Sequence, residues 1–232
     1  MISSELKELL ENEIKIKFKN NFFLENYFSE NFAAKEKNYR QNLRRTIYEK
    51  LKEWMFFEDS ELKDSEFNDS TIKDSTILEK ILDLSKPLVK IETAHKTVYV
   101  SISHSQDLGG FVICSHPIGL DLETTHRIQN KTVERICRKE ELELSLQDPS
   151  WLWPVKESIF KAMSPFQPDL KAISQITVLK LEEINVQTRR FEWDQRPQAG
   201  FGFIQKTQVK NEVEDSSVGK FEYFFSICIL GT

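Results

Sequence analysis

From Val98 onward the chain alternates, with Val98, Val100 and Ile102 apolar and Tyr99, Ser101 and Ser103 carrying polar atoms between them. Successive strand residues point to opposite faces, so this pattern predicts a half-buried strand. Gly109-Gly110 predicts a turn into a second strand, Phe111 to Cys114, and Pro117 leads into a third. In that third strand Ile118, Leu120 and Leu122 would enter the core, which puts Asp121 and Glu123 side by side on the opposite face. Residues 127 to 148 read as helical. A further helix follows over Trp153 to Ala162, with Pro154 tolerable in its first turn and Ser164-Pro165 ending it. After Asp169 the texture turns to strands: Ile173 to Leu181, Thr188 to Trp193, Phe201 to Val209 and Phe221 to Leu230, separated by polar or Gly/Pro turns.

The first 33 residues hold a weakly amphipathic start and an aromatic cluster, Phe18, Phe22, Phe23, Tyr27, Phe28 and Phe32, read as packing surface. Over Lys35 to Trp54 the period becomes helical, and Leu43, Ile47, Leu51 and Trp54 form one apolar stripe. Arg40 and Arg44 share that stripe, whereas Arg45 points away. An arginine on such a face either snorkels to water or is aimed into a cleft that holds an anion. Between Glu58 and Asp74 there are seven acidic and two basic residues, too polar for a core and read as loop. Ile77 to Leu84 reads as a short helix. A helical block beside antiparallel strands recurs in each half, which predicts an α+β fold.

Composition narrows the class. The 232 residues are 39% hydrophobic, enough for one large domain or two small ones, and a net charge of −5 argues against general nucleic-acid binding. Cys114, Cys137 and Cys228 are odd in number and widely separated, suggesting reduced thiols and no zinc site. The N-terminal residues lack the form of a signal peptide and no apolar run approaches a membrane span, so the expectation is a cytoplasmic protein with no membrane partner.

The chemistry gathers in two places. Asp121 and Glu123 make a carboxylate pair, and at about 100° per residue Trp153, Lys156, Glu157, Phe160 and Lys161 fall in one helical arc. Three carboxylates and two ammonium groups sharing apolar faces would be costly to bury without compensation, and three oxygen donors with water are what Mg²⁺ prefers. Lysines beside such a cation would face the anion it holds. Taken singly, each piece also reads as an ordinary surface pair or a solvated strand edge.

Ser101-Ile102-Ser103-His104-Ser105, then Gly119-Leu120-Asp121-Leu122-Glu123, then Trp153-Pro154-Val155-Lys156-Glu157-Ser158-Ile159-Phe160-Lys161 occur in order with suitable gaps. Together they resemble the three signature blocks of the 4′-phosphopantetheinyl transferases, and the length resembles the long, surfactin- and enterobactin-type members. The resemblance implies two similar α+β halves about a pseudo-twofold axis, with antiparallel-rich sheets, packed helices and a site in the cleft between them. Residues 1–115 would form the half on the side of the coenzyme A adenine and 3′-phosphate. Residues 116–232 would form the half with Mg²⁺ and the catalytic residues.

The implied activity is Mg²⁺-dependent transfer of the 4′-phosphopantetheine group of coenzyme A to a serine of an apo acyl or peptidyl carrier protein, releasing adenosine 3′,5′-bisphosphate. By the same resemblance Asp121, Glu123 and Glu157 are metal ligands, and Glu157, Lys161 and His104 are the catalytic set. Arg40, Arg44, Lys86, Ser103, His104, Lys156 and Lys161 would contact coenzyme A. Two departures stand out: Ser85 replaces the usual glycine before Lys86-Pro87, and Met163-Ser164-Pro165 follows the lysine helix where a Gly-Lys-Gly-like turn is common. The residues alone leave open another Mg²⁺-dependent phosphohydrolase, or a non-catalytic coenzyme A-binding protein. The carrier would dock on Arg127 to Lys139, which holds five basic residues against Glu134 alone, and the long form leans toward secondary metabolism. If both halves line the cleft, a monomer suffices.

Overall fold

A computed structural model describes residues 8, 9, 12, 24–29, 37–57, 88–92, 97–105, 108–145, 148–210 and 220–231. Lys86, Ser85, the acidic stretch 58–74, the short helix expected at 77–84, and Phe18, Phe22, Phe23 and Phe32 lie outside the described residues. The architecture is mixed α+β with two antiparallel sheets. In chain order the elements are β1 (Leu24–Ser29), α1 (Tyr39–Phe57), β2 (Leu88–Glu92), β3 (Thr97–His104), β4 (Gly109–Cys114), β5 (Ile118–Thr124), α2 (Asn130–Ile136), α3 (Lys139–Leu144), α4 (Leu152–Met163), β6 (Val178–Asn185), β7 (Thr188–Gln195), β8 (Gln198–Lys210) and β9 (Lys220–Leu230). The first sheet runs β1-β4-β3-β2 and the second β5-β9-β8-β7-β6, with Ser115-His116-Pro117 connecting them.

Strand alternation explains the layering. Leu43, Ile47 and Leu51 of α1 pack on Val89, Ile91, Val98, Val100, Phe111 and Ile113, one face of the first sheet. The opposite face, with Leu88, Tyr99, Val112 and Cys114, packs on Ile118, Leu120, Phe201, Phe203, Ile227 and Ile229 of the second sheet. The outer face of that second sheet, with Phe191, Trp193, Ile204, Phe224 and Cys228, is covered by Leu152, Val155, Ile159 and Met163 of α4. The order is therefore helix, sheet, sheet, helix. Because Ile118 and Leu120 face the first sheet, Gly119 and Asp121 face α4. A Cβ on Gly119 would run into the carbonyl oxygen of Ser158, so glycine lets α4 lie directly on β5.

Five sequence readings change, one of them the strand expected over Ile173 to Leu181, which starts only at Val178 after a 3₁₀ turn at Ile173–Gln175. β1 was not expected as a strand: its two aromatics, Tyr27 and Phe28, read as packing surface, whereas the segment pairs antiparallel with β4 from Leu24↔Cys114 to Ser29↔Gly109. Gly109 and Gly110 are not a turn but belong to β4, paired with His104 and Ser103; a Cβ on Gly110 would collide with Phe28. The helix expected over 127–148 is broken into a 3₁₀ turn (Thr125–Arg127), α2 and α3, since Cys137 adopts an extended conformation and the Arg138 N–H donates to Glu141 Oε2 at 2.7 Å. Finally, β3 is buried on both faces along most of its length, with its serine face turned toward the second sheet.

Candidate active site

β5 brings Asp121 and Glu123 to one end of the inter-sheet seam, and α4 lays Glu157 and Lys161 over them. Lys161 Nζ donates to Asp121 Oδ1 at 2.7 Å and to Ser103 Oγ at 3.1 Å, while Ser103 donates to the same Asp121 oxygen at 3.3 Å. Asp121 Oδ2 is buried and finds no hydrogen-bond partner among the described residues. Glu123 Oε1 accepts from Ser105 Oγ at 3.3 Å and from the Thr124 N–H at 2.9 Å, and it faces the Arg127 guanidinium at 3.5 Å. Burial, then the charge of Asp121, pushes Glu157 up to about 7; Lys161 opposes this and Glu123 adds to it. All three carboxylates thus feel one another.

His104 ends β3 beside this group. Its imidazole is held below the ordinary histidine value first by burial, then by the positive charges of Lys161, Arg40 and Arg127. Arg40, on the first turn of α1, therefore joins the same electrostatic neighbourhood, and Arg44 lies half-buried one turn further on. A cavity of about 260 Å³ opens between Glu123, Arg127, Ile128, Gln129, Thr132 and Trp153. Sequence reasoning assigned Arg127 to a docking surface only and passed over Gln129 and Thr132. The i, i+4 spacing of Glu123 and Arg127 was the signal available for the former.

Two expectations are corrected. Lys156 does not face the carboxylates: its ammonium is fully buried on the other side of α4, donating to Glu141 Oε2 at 2.8 Å and to the carbonyls of Ile176 (2.7 Å) and Ile136 (3.2 Å). With all three protons used, it has none for a phosphate. Glu141 is matched in turn by the Arg138 and Val178 N–H groups. Ser103 is likewise committed, since it also accepts from the Leu122 N–H at 3.0 Å, so one proton and two lone pairs are spent within the protein. Both side chains are spent on protein partners in this arrangement.

Does a divalent cation suit the donors? As the side chains lie, no three His, Cys, Asp or Glu among the described residues converge closely enough to hold a metal ion. Lys161 occupies one oxygen of Asp121, and Arg127 stands at Glu123. Yet the orphaned Asp121 Oδ2 and the strained ionisation of Glu157 are what a hard cation would relieve, and carboxylate oxygens are its preferred donors. By the chemistry of its donors, three carboxylates with one buried unpartnered oxygen, the set fits Mg²⁺.

Where β5 and α4 meet the end of β3, the structure thus gathers a carboxylate trio beside a lysine, an arginine and a histidine. Residues 117–215, less than half of the chain, match the family model of the 4′-phosphopantetheinyl transferase superfamily. The match spans Asp121, Glu123, Glu157 and Lys161, while Arg40, Ser103 and His104 lie outside it. No curated protein matches the chain. Among the described residues no helix is long and apolar enough to cross a membrane.

The two lysines of α4 should separate cleanly by substitution. Lys156→Met keeps the volume but leaves Glu141 buried without its cation, so urea denaturation should show a loss of about 3–5 kcal/mol. Lys161→Met, at a partly exposed pair, should cost far less. Equal losses would contradict the division of roles.

Glu157 sets a pH dependence. Its folded carboxyl titrates near 7 against an ordinary 4.5, so the folded state holds this proton more tightly than the unfolded chain does. The stabilisation is complete below 4.5 and lost as pH rises through 7. In chelator, the denaturation midpoint of the parent should fall across that window relative to Glu157→Gln. Parallel profiles would show that Glu157 has an ordinary acidity.

Proposed function

We propose that this protein transfers 4′-phosphopantetheine from coenzyme A to a serine of an apo carrier protein with Mg²⁺. The observation that carries the reading is the convergence of Asp121, Glu123 and Glu157 with Lys161 at the β5–α4 contact, inside the segment that matches a superfamily of phosphopantetheine transferases. Enzymes of that superfamily generally use coenzyme A and Mg²⁺.

The reaction asks for charge neutralisation and alignment above all. The carrier serine oxygen attacks the β-phosphorus, the bond from that phosphorus to the bridging oxygen breaks, and adenosine 3′,5′-bisphosphate departs. Asp121, Glu123 and Glu157 would hold Mg²⁺, which supplies Lewis-acid neutralisation of the pyrophosphate. Glu157, or a water held by Glu123 or Glu157, takes the serine proton. Lys161 leaves Asp121 to offset charge on the departing phosphate. His104 and Arg40 stand where the phosphates of coenzyme A add further negative charge, with Arg44 and Lys86 as further cations for the 3′-phosphate. On this reading residues 1–115 serve mainly the nucleotide and residues 116–232 the chemistry.

Carrier docking falls to the segment that follows β5. Lys131, Arg135, Arg138 and Lys139 are exposed along α2 and the start of α3, and Arg127 turns back to Glu123. The acidic helix beside a carrier's modified serine complements this surface.

Purified protein incubated with an apo carrier, coenzyme A and Mg²⁺ should add one phosphopantetheine to the carrier, read by mass spectrometry. Asp121→Ala and Glu157→Ala should each lower the rate by about 10³-fold, as expected when a principal electrostatic contributor is removed. Phosphate release without an adduct would point to a phosphohydrolase, and coenzyme A binding without turnover to a non-catalytic binder.

Charge reversal tests docking separately. The double variant Arg135→Glu, Arg138→Glu should lower kcat/KM for the carrier and flatten its salt dependence while the Kd for coenzyme A holds. Unchanged carrier kinetics at low salt would move the docking site elsewhere.

A further inference from the structure

β5 is the edge strand of the second sheet, hydrogen-bonded to β9 on one side only. The N–H groups of Leu120 and Leu122 turn the other way, into buried surroundings, and a buried N–H must find an acceptor. The acceptors are side chains of the first sheet: Ser101 Oγ takes Leu120 N–H at 3.0 Å, and Ser103 Oγ takes Leu122 N–H at 3.0 Å. Two steps along β3 match two steps along β5 in the same direction, so hydroxyls serve where a neighbouring strand's carbonyls would.

The same period continues into the carboxylates. Ser103 donates to Asp121 Oδ1 and Ser105 to Glu123 Oε1, both at 3.3 Å. At Asp121 the consequence is specific. Oδ1 receives both the Ser103 hydroxyl and the Lys161 ammonium, which fixes the rotation of the carboxylate and leaves Oδ2 without a partner among the described residues. One oxygen is held and the other presented.

We propose that the serines of β3 form a hydroxyl seam through which the first sheet sets the geometry of the carboxylate strand, and that Ser103 is the positioning residue for Asp121 and Lys161. The inference rests on the metal-dependent reading above and deepens it. It assigns to Ser103 a role toward the cation rather than toward coenzyme A. Residues that orient ligating carboxylates change metal affinity when removed, whereas hydroxyls that only join two strands change stability alone.

Ser101 provides the comparison, because it serves the same seam one step further from the carboxylates. Mg²⁺ binding to the coenzyme A-free protein would be measured by calorimetry, alongside denaturation midpoints and transfer kinetics. Ser101→Ala and Ser103→Ala should both lower the midpoint. Only Ser103→Ala should weaken Mg²⁺ binding, by about tenfold or more, with the KM for coenzyme A unchanged and Ser103→Thr restoring affinity.

Parent-like Mg²⁺ affinity in Ser103→Ala would overturn the inference, as would a raised KM for coenzyme A with metal binding intact. Should Ser103→Ala fail to fold, Ser103→Thr and Ser103→Cys decide: the retained hydroxyl must keep the affinity and the weakly bonding thiol must lose it. A parent protein that takes up no Mg²⁺ would remove the functional reading and this inference together. Normal uptake in both parent and Ser103→Ala would remove this inference alone.

Discussion

Three carboxylates brought to the ends of β5 and α4 repel one another, and the partial burial of the site keeps water from screening them fully. The surrounding structure answers this constraint. Lys161 and Ser103 hold one oxygen of Asp121, Ser105 and Arg127 attend Glu123, and Glu157 yields by binding its proton more tightly. His104, which feels Lys161, Arg40 and Arg127, reports the complementary positive charge beside them, the arrangement a polyanion would find favourable.

The close approach of α4 to β5 makes this possible. Gly119 has no side chain to keep the helix away, and Ser158 bonds Ser226 on β9 at 2.8 Å, so small residues replace the usual interleaving of large ones at this contact. Lys156 and Glu141 secure the opposite flank of the helix in a fully buried pair that also ties α3 and β6. Two lysines on one helix therefore have opposite tasks. One fixes where the helix lies, and the other reaches from it into the cleft.

The route from the basic surface to the carboxylates is short. α2 and α3 follow the carboxylate strand closely in the chain, and the cavity bounded by Arg127, Thr132 and Trp153 sets the start of α2 beside Glu123. Breaking this segment into two short helices at Cys137-Arg138 lets Arg138 cap onto Glu141, so the exposed basic face is anchored to the buried pair beneath it.

Much of this was legible in the chain itself. Alternation over Val98–Ser103 and Ile118–Glu123 and the helical arc of Leu152–Met163 depend on local backbone periodicity, and so did the pairing of Asp121 with Glu123 and the placing of Glu157 and Lys161 on one helix. Periodicity says which residues share a face, but it cannot say what that face meets. Lys156 and Lys161 both fell within a plausible arc, and only the packing of α3 and β6 against one flank turned the first into a buried anchor. Ser101 and Ser103 read as the polar side of a half-buried strand. They became a seam because β5, some twenty residues on, presents its open edge there, and long-range contact of that kind is decided by how two sheets pack, which no local pattern records.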